Sequence, residues 1–116
     1  MSFQAINFKE DEFKCPCCGK VEMDQEFITK LDAARIVSGV PYIITSGCRC
    51  EKHNKTVGST SDNHIKGVAA HIQCRLGHTR LKIVQGLTKA GFKRIGIGQS
   101  FVHCDVNNRE PSLWIY

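Results

Sequence analysis

The sequence predicts a single α+β domain with a small, mainly antiparallel sheet and flanking helices. Three observations predict it. A length of 116 residues suits one compact domain. Apolar side chains recur at helical spacing in two segments and read as strands in four others. These segments do not alternate as regular βαβ units, and the last two strands meet at a glycine turn.

Taken in order, residues 1–14 carry scattered apolar side chains (Phe3, Ile6, Phe8, Phe13) expected to wrap onto the domain. "CPCCGK" (15–20) is a turn, punctuated by Pro16 and Gly19. "MDQEFITKLDAARIVSG" (23–39) reads as a helix. Asp24 can cap it, Phe27, Ile28, Leu31 and Ala34 share a face, and Gly39 and Pro41 stop it. "VPYIITSG" (40–47) is a short apolar strand. Residues 48–63 are polar and contain glycine, which predicts a long functional loop. "GVAAHIQC" (67–74) is a strand. "HTRLKIVQGLTKAG" (78–91) is a helix with Leu81, Val84 and Leu87 inward. "FKRIGIG" (92–98) and "SFVHCDV" (100–106) are strands joined at Gly98. The tail, "NNREPSLWIY", has no assigned element. No internal repeat or flexible linker is visible.

Composition excludes several classes. Hydrophobic residues make up 41% and charged residues 23%, which is globular rather than disordered. No apolar run approaches about 18 residues, so no membrane span is expected. The start, "MSFQAINFKEDEF", lacks the basic then apolar pattern of a signal peptide, so synthesis in the cytoplasm without export by that route is expected. The net charge of +5 favours anionic partners such as nucleic acid, lipid or wall polymers. No Lys/Arg run is long enough for a nucleic-acid arm. Seven cysteines is an odd count, which argues against a complete disulfide framework and for reduced thiols.

The chemistry concentrates in histidines. On the strand 100–106, alternation puts Phe101, His103 and Asp105 on one face and Val102, Cys104 and Val106 on the other. On 67–74 it puts Ala69, His71 and Gln73 together, opposite Val68, Ala70 and Ile72. His64 ends the loop leading into that strand. Three imidazoles with a water in the fourth position form a catalytic zinc arrangement. Asp105 could orient His103 or act as base on the water. Gly67 and Ala69 would let the ligand strand pass close to the metal. Taken singly, each histidine also suits an ordinary polar strand position; His53 and His78 are expected to be solvated.

"SGCRCEKHNKTVGS", "NHIKGVAAHI" and "RIGIGQSFVHCDV" together resemble the zinc D-Ala-D-Ala carboxypeptidase and L,D-endopeptidase family of peptidoglycan peptidases, its small phage-type members above all. The resemblance covers roughly residues 8–115, with three motifs in order. It implies the fold shared with the hedgehog signalling domain and a zinc site at His64, His71 and His103. It implies amide hydrolysis in stem peptides or cross-links by water activated at the metal. Asp105 would assist as base, and Arg49 would stabilise the oxyanion. It also implies substrate contacts by Ser46 and Trp114, although Trp114 suits core packing as well. The expected protein is a monomer that acts on the cell wall as a phage lysin or virion-associated protein, with no nucleic-acid or membrane partner.

Two positions depart from the family pattern. His71 stands where the family has Asp, and Cys48 where it usually has Tyr. Residues that serve as base in relatives are replaced here by Ser100 and Phe101. A second expectation, weaker than the histidine site, is a structural zinc held by Cys15, Cys18, Cys48 and Cys50. A basic nucleic-acid-binding zinc module would rest on those cysteines instead of the histidines. Cys74 and Cys104 read as small buried residues.

Overall fold

A computed structural model describes residues 3–116. After a 3-10 turn at Glu10–Phe13 come α1 (Gln25–Ser38), β1 (Ile44–Ser46), α2 (Glu51–Thr56), β2 (Ala69–Gln73), α3 (Gly77–Lys89), β3 (Arg94–Ile97), β4 (Phe101–Asp105) and β5 (Ser112–Ile115). The strands form one sheet in the order β1-β2-β4-β3-β5. All pairs are antiparallel except β3 with β5, which run parallel. The class is α+β, as the patterning predicts.

Helix α1 forms where its sequence says it should. Asp24 accepts a hydrogen bond from the Phe27 amide at 3.0 Å, satisfying one of the free amides of the first turn. Gly39 ends the helix in the left-handed region, where a side chain would be strained. Phe27, Ile28, Leu31 and Ala34 are fully buried. With Ile83 and Leu87 of α3, they cover the sheet face formed by Ala70, Ile72, Ile95, Val102 and Cys104. Burying each large apolar side chain contributes about 1.5–3 kcal/mol. Cys74 and Cys104 lie in this core as expected.

The sequence reading needs several corrections. Residues 48–63 are not one loop, because α2 interrupts them with six residues. The tail, to which the sequence reading assigns no element, adds a parallel edge strand at Ser112–Ile115. In α3 the inward positions are Ile83, Gly86 and Leu87, with Val84 partly buried against the core as expected, and Leu81 is exposed. Phe8 and Phe13 are buried at the N-terminal end, but Ile6 points to solvent. That segment is anchored by polar bonds: buried Asp32 accepts from the amides of Ile6 and Asn7 at 2.7 and 3.0 Å. His78 is exposed, whereas His53 is half-buried. Gly67 does not make room for a metal. Its carbonyl accepts from the Asp24 amide at 2.9 Å, and a side chain there would strike the Glu22 carbonyl.

Gly86 sets how closely α1 and α3 approach. A Cβ there would lie 2.5 Å from the Ser38 Cβ and 2.7 Å from the Ala34 carbonyl. Helix propensity alone favours alanine by about 0.5–1 kcal/mol, whereas overpacking costs about 1–3 kcal/mol. Gly86→Ala is therefore expected to lower stability by about 1–2 kcal/mol in urea unfolding. A stabilised variant would show that the helices separate freely.

Candidate metal centre

The site is one rung of side chains laid across the sheet. Pairing sets Ser46 beside His71, His71 opposite His103, His103 opposite Gly96, and Gly96 beside Trp114. The rung lies on the face away from the helices. His64 reaches the same place from the turn before β2.

The three imidazoles meet edge to face. His64 and His71 have ring centroids 4.9 Å apart, His71 and His103 5.1 Å, and His64 and His103 5.5 Å. One nitrogen of each lies within 4.8 Å of the other two. Tetrahedral zinc, with Zn–N of about 2.1 Å, sets its donors about 3.4 Å apart, so modest ring rotations bring these into range.

Hydrogen bonding decides which nitrogens are free. His64 Nδ1 donates to the Gly47 carbonyl at 2.8 Å, and His103 Nε2 donates to Asp105 Oδ2 at 2.7 Å. Each ring thereby keeps its lone pair on the opposite nitrogen. Those nitrogens, His64 Nε2 and His103 Nδ1, are buried without a partner among the described residues. Two buried lone pairs left unpaired are costly unless a cation takes them. The residues fit a zinc ion, with the outer hydrogen bonds that orient ligating histidines already in place.

His71 completes the set differently. Its ring stacks on Phe101 at 4.4 Å and 16°. Burial and the neighbouring positive charge of Arg49 push His64 down to about 3, and burial with the adjoining imidazoles pushes His71 down to about 2. Both therefore stand neutral, the form that ligates metal.

Asp105 lies behind His103 and is 1% exposed. Arg94 Nε donates to its Oδ1 at 2.8 Å, and the Asn107 amide donates to the same oxygen at 3.3 Å. Asn63 Nδ2 shares Oδ2 with His103 at 3.4 Å. Burial opposes its ionisation, but the His103 hydrogen bond and the Arg94 charge outweigh that and hold the carboxyl below the usual range. Both oxygens are thus engaged away from the donor cluster.

Arg49 is half-buried. Its Nε donates to Ser46 Oγ and its Nη1 to Asn54 Oδ1, each at 3.2 Å, while its amide donates to the His64 carbonyl at 3.1 Å. Ser46 thus touches the arginine directly. Trp114 sits over the site, not in the core, with its ring 5.3 Å from that of His103 and the Arg94 guanidinium 5.1 Å from its own. Asn54, Asn63, Arg94 and Tyr116 are neighbours that sequence reasoning missed, whereas Phe101 lies on the His103 face as strand alternation predicts. Strand alternation could have found Arg94, which shares a face with Gly96. Nothing local points to the asparagines.

Of the cysteines proposed for a second metal, Cys15, Cys18 and Cys50 converge, but Cys48 is buried outside the group.

The fold and site define an α+β domain with a sheet-borne three-histidine metal centre. A family model described as Peptidase M15 matches residues 6–105. The chain belongs to that family, the zinc D-Ala-D-Ala carboxypeptidase-type peptidases. No curated protein matches the chain. No helix among the described residues is long and apolar enough to cross a membrane.

The depressed histidines have a measurable consequence in metal-free protein. Below the ordinary histidine pKa of about 6.5, the unfolded chain binds protons that folded His64 and His71 refuse. The unfolded state then binds more protons, so stability falls as pH falls. Chelator-treated protein should lose thermal stability between about pH 7 and pH 5, and less steeply in His71→Gln. Equal slopes would show that His71 is accessible to protons in the fold.

Proposed function

We propose that the chain is a zinc-dependent peptidase that hydrolyses amide bonds in peptidoglycan stem peptides or cross-links, with His64, His71 and His103 as ligands. The observation that carries this reading is the pair of buried, unpartnered nitrogens on His64 and His103, in a cluster where one nitrogen of each of the three histidines lies within 4.8 Å of the others. Zinc at such a centre supplies Lewis-acid polarisation of an amide carbonyl and lowers the pKa of a water molecule.

The chain's own residues supply the rest. Arg49, held by Ser46 and Asn54, presents a guanidinium to the oxygen that gains charge as the amide is attacked. Ser46 acts here through Arg49. Asp105 fixes the tautomer and orientation of His103; taking up a proton would cost it the bonds from His103 and Arg94. Trp114 walls the substrate side of the rung. The net charge of +5 complements an anionic wall polymer. We place the protein at the cell wall as a monomeric phage lysin or virion-associated enzyme, with neither nucleic acid nor membrane as partner.

One observation favours a second reading. His71 replaces a carboxylate, which leaves the centre one negative charge poorer. A more positive centre acidifies water further but makes the resulting hydroxide a weaker nucleophile. The alternative is a zinc-binding module that holds wall fragments or a protein partner without cutting.

Zinc-loaded protein incubated with purified peptidoglycan should release new free amines, and His64→Ala should abolish the release. Tight zinc binding with no release favours the binding module. His71→Asp should raise the rate; a fall with zinc still bound would show that position 71 does not limit catalysis.

Asp105→Asn should weaken zinc affinity by about 10–100-fold in competition with a chromophoric chelator. An unchanged affinity would remove Asp105 from the support of His103.

A further inference from the structure

The cysteine cluster lies apart from the histidines, and nothing in the peptidase reading uses it. Cys15, Cys18 and Cys50 bring their sulfurs within 4.8 Å of one another. Zinc–sulfur bonds of about 2.3 Å place tetrahedral donors about 3.8 Å apart, so the sulfurs need close by no more than about an ångström.

The backbone is arranged around sulfur as well. Cys15-Pro16-Cys17-Cys18-Gly19 curls tightly, with the Gly19 amide donating to the Cys15 carbonyl at 2.8 Å and Gly19 at φ +75°. The Cys15 amide closes the turn onto Lys20 at 2.8 Å. Across the cluster, the Cys50 amide donates to Cys15 Sγ at 3.3 Å, and the His53 amide donates to Cys50 Sγ at 3.4 Å. Amides turned towards sulfur stabilise thiolate, the form that ligates metal. A disulfide would join two sulfurs and leave the third idle; here three converge.

We propose that Cys15, Cys18 and Cys50 hold a structural Zn2+ ion, separate from the histidine centre, with Cys17 as the fourth ligand. Cys17 is the remaining cysteine of that turn and is exposed, so its thiol is free to turn towards the ion. Cys48 is excluded by its position: its amide donates to the Phe13 carbonyl at 2.8 Å, and its thiol is buried outside the cluster.

The ion would fasten the N-terminal turn to the segment carrying the active groups. Residues 47–50 include Gly47, whose carbonyl orients His64, and Arg49. Gly47 already packs against Phe13, so closely that a Cβ would lie 2.7 Å from the Phe13 Cα. Closing the cysteine cluster locks that contact.

Cobalt substitution of the reduced full chain tests this directly. Bound Co(II) should give near-ultraviolet sulfur-to-cobalt charge-transfer absorption, which histidine ligation does not produce. Elemental analysis should find two zinc equivalents in the wild type and one in a His64→Ala/His103→Ala variant. Adding Cys18→Ser, at an exposed position, should remove the remaining equivalent and the charge-transfer band, and Cys17→Ser should weaken both. Circular dichroism checks that each variant folds. The wild-type cobalt spectrum stands by itself if a variant does not. A wild-type spectrum without charge transfer overturns the proposal, as does a folded histidine variant without metal. A disulfide among the three cysteines in the intact mass of freshly purified protein also overturns it. These outcomes are independent of whether the histidine centre cuts peptidoglycan.

Discussion

The antiparallel register between β2 and β4, which sets His71 opposite His103, is the constraint from which the histidine site follows. Strand side chains alternate with period two, so a slip of one residue would turn His71 into the core and Ile72 outwards. The core enforces the register: Ala70 and Ile72 on β2 lie with Cys104 and Val102 on β4 beneath α1 and α3. Burial on one face thus determines what meets on the other. β4 is the central strand, paired on both sides, so its two site residues sit on the least mobile part of the sheet.

Charge is arranged in layers around that rung. Imidazoles form the inner layer, with His64 and His71 kept neutral by burial and by Arg49. Behind His103 stands the Asp105 carboxylate, balanced by Arg94, which in turn reaches the Glu110 carbonyl at 2.7 Å and the face of Trp114. The buried carboxylate is therefore never without a cation, as a charge at 1% exposure requires. The Asn63–Asn107 hydrogen bond at 2.9 Å ties the turn holding His64 to the chain just after β4. The two ends of the site share one polar lattice.

Much of this was legible in the sequence because the core is strongly patterned. The buried stripe of α1, its Asp24 cap and its Gly39 stop are local signals, as is the alternation that groups His103 with Asp105. What escaped reading was non-local or too short to show a period. α2 has six residues, mostly polar, and exists because Cys50 caps it and Asn54 braces it to Ser61. β5 pairs parallel with β3, a partner its own sequence does not announce. Leu81 fitted the helical spacing, but the inward arc centres on Gly86, where the helices touch. The histidine cluster was visible as two residues on compatible strand faces and a third at the end of the preceding loop. Which nitrogen of each points inwards depends on the Gly47 carbonyl and on Asp105, and such pairings appear only in three dimensions.

Gly96 gives the last turn of the rung a particular meaning. A Cβ there would lie 2.6 Å from the Trp114 ring and 2.7 Å from that of Tyr116, so the bare backbone lets both aromatics fold down beside His103. Both aromatics lie beyond the matched stretch, which ends at residue 105. β5 is attached at the sheet edge through β3 alone. The hood over the histidines and the frame that aligns them are therefore separate parts, joined across a single glycine. Sequence drift in the last ten residues can reshape what fits beneath the hood while leaving the imidazoles where the core put them.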